Sequence, residues 1–172
     1  MNNRFKKGSY LSLAVLLIAA CNSHTEKKAA TNVATITTTS TPIIKLASLE
    51  DKSISLESYK GKTVFLNFWA TWCRPCVQEM NSIQLLKNQL KDQGVVFLLA
   101  SDESTEDINA FKNKHPYDLD FIQLKNLTEL GIESLPTTYI FDPSGKLAFS
   151  DIGARDWNSA DNVQLISKIN KP

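Results

Sequence analysis

Cys73 and Cys76 are the residues of this chain best placed to do chemistry, with only Arg74 and Pro75 between them. A disulfide at this spacing closes a very small ring and stabilises a fold by only about 2 kcal/mol, less than a longer loop would give. The pair therefore reads as dithiol–disulfide redox chemistry rather than as a staple. The alternative is half of a zinc site, but zinc takes about four ligands. The other candidates, Cys21, His24 and His115, have no ligand-like spacing to the pair. The expectation is a redox-active disulfide with no metal and no cofactor.

The elements around the pair must position it. Residues 65–76 read FLNFWATWCRPC. Val64, Phe65, Leu66, Phe68 and Trp69 form the apolar run of a buried central strand. A turn with two tryptophans follows, and Pro75 suits the first turn of a helix. Cys73 then stands at a helix N-terminus, where unpaired N–H groups and the dipole favour a thiolate. Cys73 is expected to be the exposed, attacking sulfur and Cys76 the shielded one that resolves the mixed disulfide. The helix is expected over 74–91, with Met80, Ile83, Leu86 and Leu90 on its inner face. Glu79 falls roughly 20–40° from Ile83 and Leu90 around the axis. It lies about one turn beyond Cys76. A carboxyl at that place points into the apolar stripe, and burial raises its pKa. Glu79 is expected to exchange a proton with Cys76.

The segment GKTVFLNFWATWCRPCVQEM, residues 61–80, resembles the TlpA/ResA-like thiol-disulfide oxidoreductases of the bacterial envelope. The likeness extends from about Ile43 to the C-terminus. It implies a thioredoxin fold with an N-terminal β-hairpin extension and an insert between core strands. It also implies an active-site glutamate at Glu79. Leu135-Pro136-Thr137, preceded by Leu130-Gly131-Ile132, matches the loop that carries a cis-proline facing the disulfide in such proteins. There the backbone of Leu135 would pair with an extended substrate segment. Trp72, Arg74, Pro75 and Thr137 would complete the substrate surface, with Arg74 and Pro75 tuning the potential. Trp69 reads as a core aromatic. Asn67 stands where ordinary thioredoxins carry a buried aspartate, so that titrating group is missing here. The resemblance further implies protein disulfide substrates, a membrane thiol carrier as electron donor, and service to cytochrome c maturation. Two alternatives are open. A peroxiredoxin-like peroxidase would want a threonine three residues before its cysteine, where Ala70 stands, with Thr71 one step late. A non-enzymatic copper-delivery protein of the Sco type would want a CxxxC spacing and a matching histidine.

The remaining chain divides into three parts. Residues 1–20 begin with Arg4, Lys6 and Lys7 and continue into an apolar run too short to span a bilayer. Ile18-Ala19-Ala20-Cys21 resembles the lipobox of bacterial lipoproteins, where the cysteine is acylated and becomes the N-terminus. That reading explains the odd cysteine count. It places the protein in a bacterial cell envelope, facing the periplasm or exterior. Residues 21–42 read as a lipidated, flexible linker rich in Thr, Ala and Ser. Residues 43–172 are of single-domain size. Without residues 1–20 the chain keeps sixteen Lys and Arg against eighteen acids, which gives no footprint for nucleic acid.

Within 43–172, short strands are expected at 43–46 and 54–56, and a second buried strand at 95–100. A helix begins at Ser104, whose side chain and Asp107 form a capping pair, and stops at His115-Pro116. A strand is expected at 119–124, a brief helix at 125–130 closed by Gly131, and a hairpin of 137–142 and 146–151 around the turn at Pro143. A final helix is expected from Asn158 to Ile169, with Asn158 as cap. Alternation first and a hairpin last make an α/β chain with a mixed sheet flanked by helices.

Overall fold

The central strand is Thr63–Phe68, and all six of its residues are buried. The computed structural model describes residues 43–171; the expected leader at 1–20, the linker at 21–42 and the lipidation site Cys21 lie outside them. In chain order the elements are β1 (Leu46–Ala47), β2 (Ser53–Ile54), β3 (Thr63–Phe68), α1 (Arg74–Leu90), β4 (Val95–Ser101), α2 (Thr105–Lys114), β5 (Asp120–Leu124), β6 (Thr137–Phe141), β7 (Leu147–Ile152) and α3 (Ala160–Ile169). They build one seven-stranded sheet in the order β2-β1-β5-β4-β3-β6-β7. β3 runs parallel to β4 and antiparallel to β6. The mixed α/β sheet of a thioredoxin fold is thus present.

Period-two alternation sorts β3 onto two faces. Val64, Leu66 and Phe68 join the core on one side, and Phe65 joins the α1 side. Asn67 falls in phase with Phe65, so it too lies beneath α1. The inner face of α1 is Cys76, Glu79, Met80, Ile83, Leu86 and Leu90. α2 starts where expected, because Ser104 Oγ accepts from the Asp107 N–H at 3.1 Å and donates to its carboxylate at 2.7 Å. α2 buries Ile108 and Phe111.

Four boundaries differ from the sequence reading, each because a side chain intercepts the backbone. Asn126 Oδ1 accepts from the Lys45 N–H, and its Nδ2 donates to the Ile43 carbonyl. The Ile43 carbonyl and the Lys45 N–H are therefore held by a side chain, and β1 starts only at Leu46. With Asn126 so engaged, the expected helix at 125–130 shrinks to a 3₁₀ turn at Thr128–Leu130, closed by Gly131 at φ 65°. Ser55 Oγ caps a second 3₁₀ turn at Leu56–Tyr59, in place of the expected end of β2. The last helix begins at Ala160 rather than Asn158. The Asn158 N–H is taken by Asp156 Oδ1, and Ser159 occupies the cap position.

Candidate active site

β3 ends in a tight turn that delivers Cys73 to the head of α1. The Cys73 N–H donates to the Ala70 carbonyl at 3.1 Å. Cys73 is the N-cap of α1, and its Sγ accepts the Cys76 N–H at 3.3 Å. Pro75 lies in the first turn, where its missing donor leaves nothing unpaired. Cys73 and Cys76 are joined as a disulfide.

The expected exposure of Cys73 is not found: it is 4% exposed, and Cys76 is fully buried. Position at a helix cap places the sulfur in the field of the N–H groups, but the turn folds its side chain into the core beside Trp69 and Ala70. What the site shows to solvent is Trp72, 74% exposed, with Arg74 and Pro75 beside it. Trp69 is a core residue, packed against Phe111 and Phe121.

The register of β3 with β6 pairs Phe68 with Thr137. It brings the Leu135-Pro136 loop alongside the turn that carries the cysteines. The Leu135–Pro136 bond is cis. The loop is tied down at both ends: Thr137 Oγ1 donates to the Ser134 carbonyl at 2.7 Å, and Gly153 N–H donates to the Pro136 carbonyl at 2.8 Å. A groove of about 500 Å³ flanks this loop, lined by Ile132, Glu133, Tyr139 and the exposed Ile152.

Glu79 lies one turn beyond Cys76, buried to 4% exposure. Its carboxyl is met by three donors. Asn67 Nδ2 reaches Oε1 at 2.8 Å, while the Arg155 N–H and Trp157 Nε1 each reach Oε2 at 3.1 Å. Burial pushes the Glu79 pKa up, against the pull of those hydrogen bonds. Asn67 also donates to Thr138, its register partner on β6, at 2.9 Å.

The sequence reading missed Trp157, Arg155 and Glu103. Trp157 is fully buried, with its ring edge on Phe65. It lies outside the period of α3, so helical spacing gives no sign of it. Glu103 accepts from the backbone and side chain of Thr71. The single O–H of Thr71 is thus spent on Glu103, and Ala70, three residues before Cys73, is buried and apolar. His115 stacks on Phe111, and among the described residues no group of three His, Cys, Asp or Glu is arranged to hold a metal ion.

The AhpC/TSA family model matches residues 37–150. The thiol-disulfide oxidoreductase ResA of Geobacillus thermodenitrificans is 35% identical over 146 residues, covering 78% of this chain and 80% of the relative. The chain belongs to the AhpC/TSA family as a ResA-like thiol-disulfide oxidoreductase. ResA of Bacillus anthracis is 38% identical, covering 65% of this chain and 67% of that protein. Among solved structures, the exposed lipoprotein thioredoxin Etrx1 of Streptococcus pneumoniae superposes with a TM-score of 0.58 at 26% identity, over 72% of this chain and 96% of that one. The thioredoxin domain of a Bacteroides vulgatus thiol-disulfide oxidoreductase shares the fold at TM-score 0.64 and 23% identity, covering 76% and 95%. This ResA-like chain is accordingly a thioredoxin-like protein-disulfide oxidoreductase with Cys73 and Cys76 as its dithiol pair.

Proposed function

We propose that this ResA-like protein is a lipid-anchored reductant of protein disulfides on the outer side of a bacterial membrane. The Cys73 thiolate attacks a substrate disulfide, forming a mixed disulfide and expelling one substrate thiolate. The Cys76 thiolate then attacks Cys73 Sγ, expels the second substrate thiolate and closes the Cys73–Cys76 disulfide. Two electrons pass to the substrate, and the two protons of the dithiol are shed. Glu79 takes the proton of Cys76. A membrane thiol carrier would return the electrons. Paired cysteines of c-type cytochromes awaiting haem are the substrate class that the resemblance implies.

The observation that carries the reducing direction is the buried Glu79 one turn from Cys76. A carboxylate there disfavours a second negative charge on Cys76 in the dithiol, and so favours the disulfide. Arg74, Pro75 and Trp72 at the surface, with Leu135 in the facing loop, would form the docking face; Thr137, also expected there, is buried at the start of β6 with its hydroxyl on the Ser134 carbonyl.

Cys76→Ser removes the resolving sulfur. Expressed in the native host, the variant is expected to retain substrate proteins covalently on Cys73, released by dithiothreitol and identified by mass spectrometry. Partners held by Cys76 in a Cys73→Ser variant instead would reverse the two roles. The anchor is tested separately. Two or more acyl chains hold a protein on a membrane where one binds only marginally. Wild type is expected in the detergent phase of a partitioning assay and Cys21→Ala in the aqueous phase; wild type in the aqueous phase would exclude the lipid.

A further inference from the structure

We propose that Glu103 is a positioning residue for thiol exchange, clamping the turn that delivers Cys73. The turn runs Ala70-Thr71-Trp72-Cys73 and is closed by the Cys73 N–H on the Ala70 carbonyl. Such a turn leaves the N–H of its second residue without a partner of its own. That residue is Thr71, half-buried, and Glu103 supplies the partner. Glu103 Oε2 accepts the Thr71 N–H at 2.7 Å, and Oε1 accepts the Thr71 hydroxyl at 2.6 Å. The two oxygens grip one residue as a fork.

The fork is itself braced. Oε2 accepts the hydroxyl of the buried Ser101 at 2.9 Å, and Ser101 Oγ in turn accepts the Glu103 N–H at 3.2 Å. The Glu103 carbonyl is held by Gln123 Nε2 of β5 at 2.9 Å. β4 and β3 are parallel, with Ala100 opposite Phe68, and the Trp69 N–H continues onto the Ala100 carbonyl. The ends of both strands therefore reach the cysteine turn together. Glu103 fixes the turn to β4, and through the turn it fixes where Cys73 Sγ meets Cys76. Displacement of a reacting atom by about 1 Å costs an enzyme up to about a hundredfold in rate.

This rests on the disulfide exchange already assigned to the pair, and the reduction potential tests it whichever cysteine attacks first. In the full chain, Glu103→Ala is expected to slow exchange with a protein disulfide at least tenfold. It should also shift the equilibrium with glutathione about tenfold toward the dithiol, a change of about 30 mV. Weakening that affected both redox forms equally would leave the potential unmoved. Glu103→Gln should restore both values to within about threefold of wild type. Its amide oxygen can take the place of Oε2, and the Thr71 hydroxyl can rotate to accept from the amide nitrogen. Thr71→Val removes only the hydroxyl arm and should fall between; it decides the matter if Glu103→Ala does not fold. A folded Glu103→Ala with rate and potential within twofold of wild type overturns the proposal. So does Glu103→Gln as impaired as Glu103→Ala, or Thr71→Val indistinguishable from wild type.

Discussion

Trp157→Ala is expected to destabilise the oxidised protein by about 3–5 kcal/mol, a large part of the about 5–15 kcal/mol that holds a typical domain together. Trp157 is fully buried, and its ring stands edge-on to Phe65 of the central strand at 4.8 Å between centroids. Phe149 of β7 packs on it at 6.4 Å, and the Arg155 guanidinium lies 5.4 Å from the ring. Truncation opens a cavity between sheet and helices that these neighbours cannot fill by small shifts. Trp157→Phe separates packing from hydrogen bonding. It keeps most of the ring but deprives Glu79 of the indole donor, and should cost about 1–3 kcal/mol. Urea unfolding of the oxidised proteins measures both. A Trp157→Ala variant within 1 kcal/mol of wild type would mean that this indole does not anchor the loop before α3 to the core.

That Trp157 needed the structure to be noticed follows from where folding information is written. β3 and α1 declare themselves locally, through a continuous apolar run and a helical period. The same helical period placed Glu79 in the buried stripe, because angle around an axis is set by sequence spacing alone. What Glu79 meets there is set by residues 12 to 78 positions away, Asn67, Arg155 and Trp157. No local pattern encodes such side-chain contacts. Asn126 is the same case: its amide reaches back 81 residues to Lys45 and shortens the N-terminal hairpin. Cys73 failed differently. Its cap position is legible, yet accessibility depends on how the turn folds over, and Glu103, just past the end of β4, takes part in that turn. The Leu135-Pro136 loop was legible only through the family resemblance; no property of the residues themselves required it.

Glu79→Gln is expected to slow closure of the Cys73–Cys76 disulfide by about a hundredfold near neutral pH, the lower range for loss of a positioned general base. Glutamine keeps the shape and can still accept on one oxygen, but it cannot take a proton from Cys76. The buried carboxyl has a route to water, since a groove of about 300 Å³ lined by Asn81, Ser82, Ala154 and Arg155 borders it. Asn67 serves the ionised state with its Nδ2, and its Oδ1 has no partner among the described residues. The same amide turned by half a rotation would present Oδ1 to the protonated acid, so one side chain suits both states. The pH dependence has a fixed sign. Burial raises the Glu79 pKa above its ordinary value of 4.5, so the folded protein holds this proton more tightly than the unfolded chain does. Stability from this group is complete below about pH 4.5 and is lost as pH rises through the raised native value. Glutamine has no such proton. The stability of wild type relative to Glu79→Gln should therefore fall as pH rises from 4 to 9 in urea unfolding, while the rate difference appears in stopped-flow exchange over the same range. Stability profiles that run parallel, with exchange rates that match, would make Glu79 a structural acceptor for the 155–157 loop and leave Cys76 to lose its proton to water.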